Sequence, residues 1–488
     1  MDSGRPLVLV GGGSGFVGTA LASALSGRFR VAGLSRSPRK AEPPFDEWRC
    51  ADLFNLREAK AALAGAKYAF YLVHSMLPSA RLTQGSFEDL DLICADNFAR
   101  AAVQAGVEQI VYLGGLIPSA AGALSPHLAS RLEVEQTLGR YGVPLTTLRA
   151  GMVIGGGGSS FEILVRLVRR LPAMVCPRWT LTRMQPVAVD DVVRLLSFAV
   201  ARPECYGQTF DVGASEAMSY RELMSLCADL LGLHRTLLPI RLFTPWLSKL
   251  WVQLVTGAPG ELVGPLVESL RHEMVARDLR LAAMAGMTPT SVREALRRAL
   301  GAGPASLAAP RQKHTALVRS VQRMRLPEGR DARWAAVEYA RWLPRAFRSL
   351  LRVETDAQGT CRFFVPLVRA PLLVLTPDEK PAPDRQLFFV TSGLLARAGE
   401  RGRFELRQVL DGRTLLTAIH DYAPRLPWVL YRWTQARVHA WVMGAFRRHL
   451  AQVARVQAAG EILLPAPVSG YIAVSQPGPD SPARGLKR

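Results

Sequence analysis

Cysteine is scarce in this 488-residue chain: there are six, Cys50, Cys94, Cys176, Cys205, Cys227 and Cys361, and no two form a Cys-x-x-Cys pair. This argues against a disulfide framework and a structural metal centre, and a reducing cytoplasmic setting is expected. Long apolar runs are missing too, since no stretch approaches the ~18–20 consecutive apolar residues of a membrane-spanning helix. Met1-Asp2-Ser3-Gly4 runs straight into the strand-like Leu7-Val8-Leu9-Val10, so no secretory leader is expected. Acidic residues fall short of basic ones, 40 against 61, for a formal net charge of +21. Residues 315–455 alone carry 24 Arg and Lys against 12 Asp and Glu. No zinc finger, RNP-like aromatic motif or basic heptad accompanies the excess, so nucleic acid is not an expected partner. A solvated basic surface is the first reading, and peripheral contact with an anionic membrane or partner is the second.

What is present is regular alternation. Apolar spacing predicts strands over 7–10, 31–35, 68–73, 110–113 and 145–148, with amphipathic helices over 17–25, 56–63 and 87–105. Such alternation implies an α/β fold, a Rossmann-type doubly wound parallel sheet covered on both faces. Helical patterns over 161–170, 190–201 and 219–231 suggest a substrate lobe, about 160–300, so that 1–300 is read as one nucleotide-binding domain. The run Gly-Ala-Gly-Pro-Ala-Ser-Leu-Ala-Ala-Pro from 301 reads as a linker to about 314. Beyond it, strands are expected over 361–368, 372–375, 386–392, 403–410 and 414–420, with a hairpin at Asp411-Gly412. A long helix over 428–453 completes a separate α+β domain, 315–456, with antiparallel strands. The Pro-, Gly- and Ser-rich 457–488 reads as a disordered tail.

Gly12-Gly13-Ser14-Gly15-Phe16-Val17-Gly18 directly follows the first strand and opens a helix. Glycine there permits a tight turn, close approach of backbone N–H groups to a pyrophosphate, and close packing of helix on strand. An NAD site carries an acidic residue at the end of the second strand, where it binds the ribose hydroxyls. This chain has Ser35-Arg36 and then Arg39-Lys40. A guanidinium pairs with a 2′-phosphate, so NADP(H) is the expected cofactor; solvated loop charges are the other reading. Asp52-Leu53 would lie beside the adenine, and Leu72-Val73-His74 would line the groove after the strand over 68–73.

These motifs, with Tyr71-Leu72-Val73-His74-Ser75-Met76, Asn97 and Leu113-Gly114-Gly115-Leu116, resemble an atypical short-chain dehydrogenase/reductase (SDR). The resemblance is to the YbjT-like bacterial proteins related to the NADPH-binding accessory subunit of respiratory complex I. It extends to Leu148-Arg149-Ala150-Gly151 and Gln185-Pro186-Val187-x-Val189-Asp190-Asp191-Val192. The C-terminal half resembles the uncharacterised domain DUF2867. Where the extended family has Tyr-x-x-Ser-Lys-x-x-x-Glu, this chain reads His127-Leu128-Ala129-Ser130-Arg131-Leu132-Glu133-Val134-Glu135. Histidine replaces the tyrosine that exchanges a proton with substrate, and arginine replaces the lysine that lowers its pKa. Gly114-Gly115 replace the usual serine. His127 is therefore either a non-standard acid or simply the start of a helix, with Arg131 in a salt bridge or on the cofactor; a cation one turn away opposes its protonation.

His439 and His449 do not share a helix face and are not read as metal ligands, and His420-Asp421 reads as a local polar pair. The segment 243–255, with Trp246 and Trp251, suits a pocket helix or a membrane interface. Trp433, Val438, Trp441, Val442, Phe446 and Leu450 form a stripe that would close over a sheet, enclosing either a lipophilic cavity, as in helix-grip domains, or a dry core. The expectation is an NADP(H)-binding SDR-like oxidoreductase acting on a hydrophobic carbonyl or quinone-like substrate. The alternative is a non-catalytic NADPH sensor or scaffold contacting a partner or membrane. No oligomeric state follows from the sequence.

Overall fold

The computed structural model describes residues 4–74, 80–118, 124–240, 260–301, 315–347, 350–397 and 402–459, with Gln253 and Gly257. They fall into two compact units, Met1–Ser79 with Gly85–His314, and Ala80–Gln84 with Thr315–Arg488.

In the first unit β1 (Leu7–Gly11), α1 (Phe16–Leu25), β2 (Arg30–Ser35), β3 (Glu47–Cys50), α2 (Leu56–Leu63) and β4 (Tyr68–Tyr71) follow in order. After β5 (Ala80–Gln84) come α3 (Phe87–Ala105), β6 (Gln109–Gly115), α4 (Pro126–Leu138) and β7 (Leu145–Ala150). Seven strands pair in the order Thr209–Val212, β7, β6, β4, β1, β2, β3, all in parallel. This is the doubly wound Rossmann arrangement. Leu7 to Val10 are all buried, as a strand with helices over both faces requires.

Local chemistry sets the helix ends. The Asn55 side chain caps α2, accepting from Arg57 N, and Ser86 caps α3, accepting from Asp89 N. Gly106 ends α3 in the left-handed region, at φ +69°. Ser125 caps α4 and Pro126 occupies its first turn, where the missing N–H costs nothing. The helix Tyr220–Leu230 begins with a reciprocal Ser219–Glu222 capping box.

The second unit holds an eight-stranded sheet in the order Arg352–Thr355, Cys361–Phe364, Leu373–Pro377, Arg385–Ser392, Arg403–Val409, Thr414–Tyr422, Thr315–Arg325 and β5. All its pairings are antiparallel except the last, between Thr315–Arg325 and β5. The helices Ala332–Ala346 and Gln435–Ala458 pack through Tyr339, Trp342 and Phe446 onto Phe404 of the sheet. From Thr315 onward one strand, a helix, six antiparallel strands, a short helix and a long helix follow in chain order. Tyr339 lies between the sheet and the long helix, its ring 5.5 Å from that of Phe404 and 5.0 Å from that of Phe446.

Several elements depart from the sequence pattern. The strands Glu47–Cys50 and Thr209–Val212 are short and carry polar residues, so neither shows an apolar run. Thr315–Arg325 alternates Arg and Gln with apolar residues and was not foreseen, nor was the helix Ala332–Ala346. β5 lies inside 1–300 in sequence, yet it belongs to the second unit's sheet through a partner far along the chain. The final helix breaks at Thr434 into Trp428–Trp433 and Gln435–Ala458, which carries it past the expected tail boundary at 457. Gly301 ends the helix Val292–Gly301. The rest of the linker, residues 460–488, and Ser75, Met76, Trp246 and Trp251 lie outside the described residues.

Candidate functional site

The chain leaves β1 towards β2 on one side and enters β4 on the other, so a crevice opens beyond the carboxyl ends of these two strands, the usual ligand position in such sheets. Gly12, at φ +86°, begins the turn there, and a Cβ on it would come within 2.8 Å of the Leu72 carbonyl oxygen. A Cβ on Gly18 would lie 2.8 Å from Gly13 Cα. Gly15 N–H donates to Gly12 O at 2.9 Å, and Thr19 Oγ1 donates to Gly13 O at 3.2 Å. α1 starts with no side-chain cap and no acid in its first turn, which leaves its leading N–H groups available to an anion. Phe16 packs against Gly155 and Gly158, where a Cβ would meet its ring.

A cavity of about 430 Å³ lies against this loop, lined by Gly12, Gly15, Phe16, Val17, Gly18 and Leu72, and further on by His74, Gly115, His127 and Arg131. A second cavity, of about 290 Å³, shares His74, Gly115, His127, Arg131, Ser159 and Ser160. Its remaining wall is mostly apolar: Leu164, Leu167, Trp179, Tyr220, Met224, Val263 and Val267 contribute to it. A nucleotide-sized groove and an apolar chamber therefore meet at the two histidines and Arg131.

The junction is held from below. His74 Nδ1 lies 2.9 Å from Asp91 Oδ2 on α3, and Ser130 Oγ donates to the same oxygen at 3.4 Å. A carboxylate accepts only, so Nδ1 of His74 carries the proton and Nε2 is a bare lone pair, buried without a partner. The His127 ring centroid is 5.3 Å from that of His74. His127 Nδ1 is also buried without a partner, and the residue lines both cavities. Burial, then Arg131, then His74 lower the His127 pKa to about 3. Burial and Arg131 lower that of His74 more than Asp91 raises it. Both rings are thus neutral near pH 7. Burial opposes the charge on Arg131, but Tyr112, Asp91 and Tyr71 outweigh it and raise the guanidinium pKa. Tyr112 also donates its hydroxyl to Arg131 O at 3.3 Å. Arg149 of β7 forks onto Glu135 at 2.7 and 3.0 Å, tying α4 to the sheet.

The remaining residues singled out by sequence divide. Ser14 is exposed in the glycine loop, and Arg36 and Arg39 are exposed beyond β2. Arg39 stacks on Trp48 at 5.1 Å, and Ser35 Oγ donates to Ser37 O. Asp52 turns inward on its own loop, accepting from Phe54 N at 3.1 Å. Asn97 is fully buried, and its amide donates to Leu53 O at 2.7 Å, so it shapes that loop from beneath. Val73 lies within 3.6 Å of a Cβ built on Gly11. Gln185 and Asp191 in the later motif hold backbone: Gln185 bonds Ala214 O and Ala276 N, and Asp191 accepts from Thr290 N and Oγ1. A Cβ on Gly115 would meet Arg131 Cγ at 3.7 Å and Leu128 Cδ2 at 3.8 Å, ordinary contact distances, and Ser159 and Ser160 stand in the wall common to both cavities. Asp91, Tyr112 and the chamber residues were not anticipated. A hint lay in α3, where Asp89, Asp91, Asp96 and Asn97 interrupt an apolar pattern and are all buried. Among the described residues no group of three or more His, Cys, Asp or Glu is placed to hold a metal.

No family model matches the chain. The auxiliary protein GraX of Staphylococcus aureus is 31% identical over 147 residues, 29% of this chain and 43% of that protein. The chain thus spans less than half of that relative's length. The NADPH-dependent quinone oxidoreductase QOR2 of Escherichia coli, complexed with NADPH, is similar over 59% of this chain and 98% of its own, at 17% identity and a TM-score of 0.48. The Citrobacter sp. triphenylmethane reductase complexed with NADP(H) is similar over 60% and 99%, again at 17% identity and 0.48. At such identities and scores the likeness carries no function across.

Proposed function

We propose that this chain is an NADP(H)-binding oxidoreductase of the atypical short-chain dehydrogenase/reductase type, acting on a hydrophobic carbonyl or quinone-like molecule. The observation that carries the reading is the meeting of a glycine-cradled groove and an apolar chamber at His127. The group fits the residues present: the loop is tight enough that side chains at Gly12 and Gly18 would collide with backbone, and α1 begins without a cap. Gly12, Ser14, Gly15 and Phe16 would hold the pyrophosphate, Arg36 and Arg39 the 2′-phosphate, and Arg131 the nicotinamide ribose. When bound, the reduced nicotinamide supplies a hydride. His127 Nε2, as a neutral donor, hydrogen-bonds the substrate oxygen where negative charge develops. The Arg131 guanidinium, one turn along α4, favours that charge and keeps the imidazole neutral. Leu164, Trp179 and Met224 exclude water and select an apolar substrate. The finer kinship with the YbjT-like proteins rests on the sequence motifs, and that of the C-terminal half with DUF2867 on a general sequence resemblance.

The test is to mix the protein with NADPH and a panel of quinones and long-chain carbonyls while following the reduced-nicotinamide absorbance. Oxidation with at least one member, lowered by His127→Ala, supports the reading. Tight NADPH binding with no oxidation across the panel contradicts it in favour of a non-catalytic sensor or scaffold. That second reading draws on His127 and Arg131 standing where a tyrosine and a lysine are expected.

A further inference from the structure

The helices Trp428–Trp433 and Gln435–Ala458 close the second unit. They bury Tyr431, Ala436, Met443, Phe446 and Leu450 in its core. Their other face leaves large apolar side chains in water: Val429 is 71% exposed, Leu430 49%, Trp433 58%, Val438 57% and Trp441 55%. Trp441 rests on the Phe347 ring at 4.9 Å, and the Arg437 guanidinium lies 4.2 Å from the Trp433 ring centre. Scattered apolar residues are ordinary on a protein surface, but a contiguous group on two successive helices marks a contact.

Charge identifies the contact. From Tyr422 to Ala459 the chain carries six arginines, Arg425, Arg432, Arg437, Arg447, Arg448 and Arg455, and no aspartate or glutamate. All six are exposed. We propose that this face docks on an anionic lipid bilayer, with Trp433 and Trp441 at headgroup depth, Val429, Leu430 and Val438 against the acyl boundary, and Arg432 and Arg437 among the phosphates. Amphipathic Trp side chains and basic flanks are what interfacial helices use. A second copy of the chain fits poorly, because a symmetric contact would set these arginines against their own counterparts. The inference does not depend on the nucleotide reading, and either stands if the other fails.

The experiment is co-sedimentation of the full chain with vesicles of phosphatidylcholine alone and of phosphatidylcholine with about one-third phosphatidylserine. Binding to the anionic vesicles, weak binding to the neutral ones, and weakening with salt are expected. Trp433→Ala with Trp441→Ala should lose most of the binding. Each arginine near such a surface contributes about fivefold, so Arg432→Glu with Arg437→Glu should weaken binding on the order of 25-fold or more. The sites are exposed, and an unchanged unfolding midpoint verifies that each variant folds; the arginine pair serves if the tryptophan pair does not. No binding by the unaltered protein overturns the proposal, as does binding that neither pair of substitutions reduces. A dimer that the tryptophan substitutions dissociate, with vesicle binding intact, overturns it in favour of self-association.

Discussion

The chemistry rests on side chains whose protonation is fixed by their surroundings. His127 is pressed to a pKa of about 3 by burial, Arg131 and His74, so it acts as a hydrogen-bond donor and does not become an imidazolium acid in the ordinary pH range. Removing it in His127→Ala should cost on the order of 100-fold in turnover and leave the NADPH dissociation constant unchanged. A parallel loss of nucleotide affinity would place the residue on the cofactor instead. Because the imidazole does not titrate near neutrality, turnover should show no inflection near pH 6.5, the ordinary histidine value; a clear one there would contradict the assignment. Gly12→Ala is predicted to fail in two ways. Its φ of +86° strains an alanine, and the Cβ would press on the Leu72 carbonyl. It should destabilise the protein by more than about 1 kcal/mol, measurable by chemical unfolding, and abolish nucleotide binding.

At the scale of elements, the strand Arg403–Val409 carries a buried ionic cluster. Glu405 accepts from Arg407 Nη2 at 2.6 Å and lies 2.9 Å from His420 Nε2, with Arg385 also bonded to it. Arg407 and Glu405 are almost wholly buried. Burial raises the Glu405 pKa, but Arg407, Arg385 and His420 together hold it well below the ordinary range. Glu405→Leu would strand Arg407 in the interior and should cost about 3–5 kcal/mol, read from denaturant midpoints; a loss under 1 kcal/mol would show that the cluster relaxes. His420-Asp421 looked in sequence like a local polar pair, because the residues that complete it, Glu405 with Arg403 and Arg319, come from other strands. The same limit governs what was legible elsewhere. Five of the seven Rossmann strands and the glycine loop showed in the sequence because a run of buried apolar residues and a tight turn are local; Glu47–Cys50 and Thr209–Val212, with no such run, did not. α2 and α3 match their expected spans residue for residue. Asp91 under His74 and β5 in a distant sheet were hidden, since each depends on a partner far along the chain. The Asp411-Gly412 hairpin was local and is present, with Gly412 at φ +82°.

For the whole molecule, acid should be destabilising well before carboxylates protonate. The pKa values of His74, His127, His420 and His439 are all lowered by burial, His439 to about 4. Each binds its proton more readily in the unfolded chain, so stability is full above about pH 6.5 and declines below it, by up to about 1.4 kcal/mol per pH unit for each histidine. The lowered pKa values of Glu405 and Asp421 act in the same direction at lower pH. Urea midpoints at about pH 7.5 and about pH 5 should differ clearly, and equal midpoints would show that these rings are solvated. The central claim is that residues 12–18 and Arg36 bind a 2′-phosphorylated dinucleotide. Its most direct test is a titration of the purified chain and of Arg36→Asp with NADPH and with NADH. The account predicts that the unaltered chain binds NADPH more tightly than NADH, and that Arg36→Asp removes this preference by weakening NADPH alone. Binding of neither nucleotide, or equal weakening of both, would contradict it.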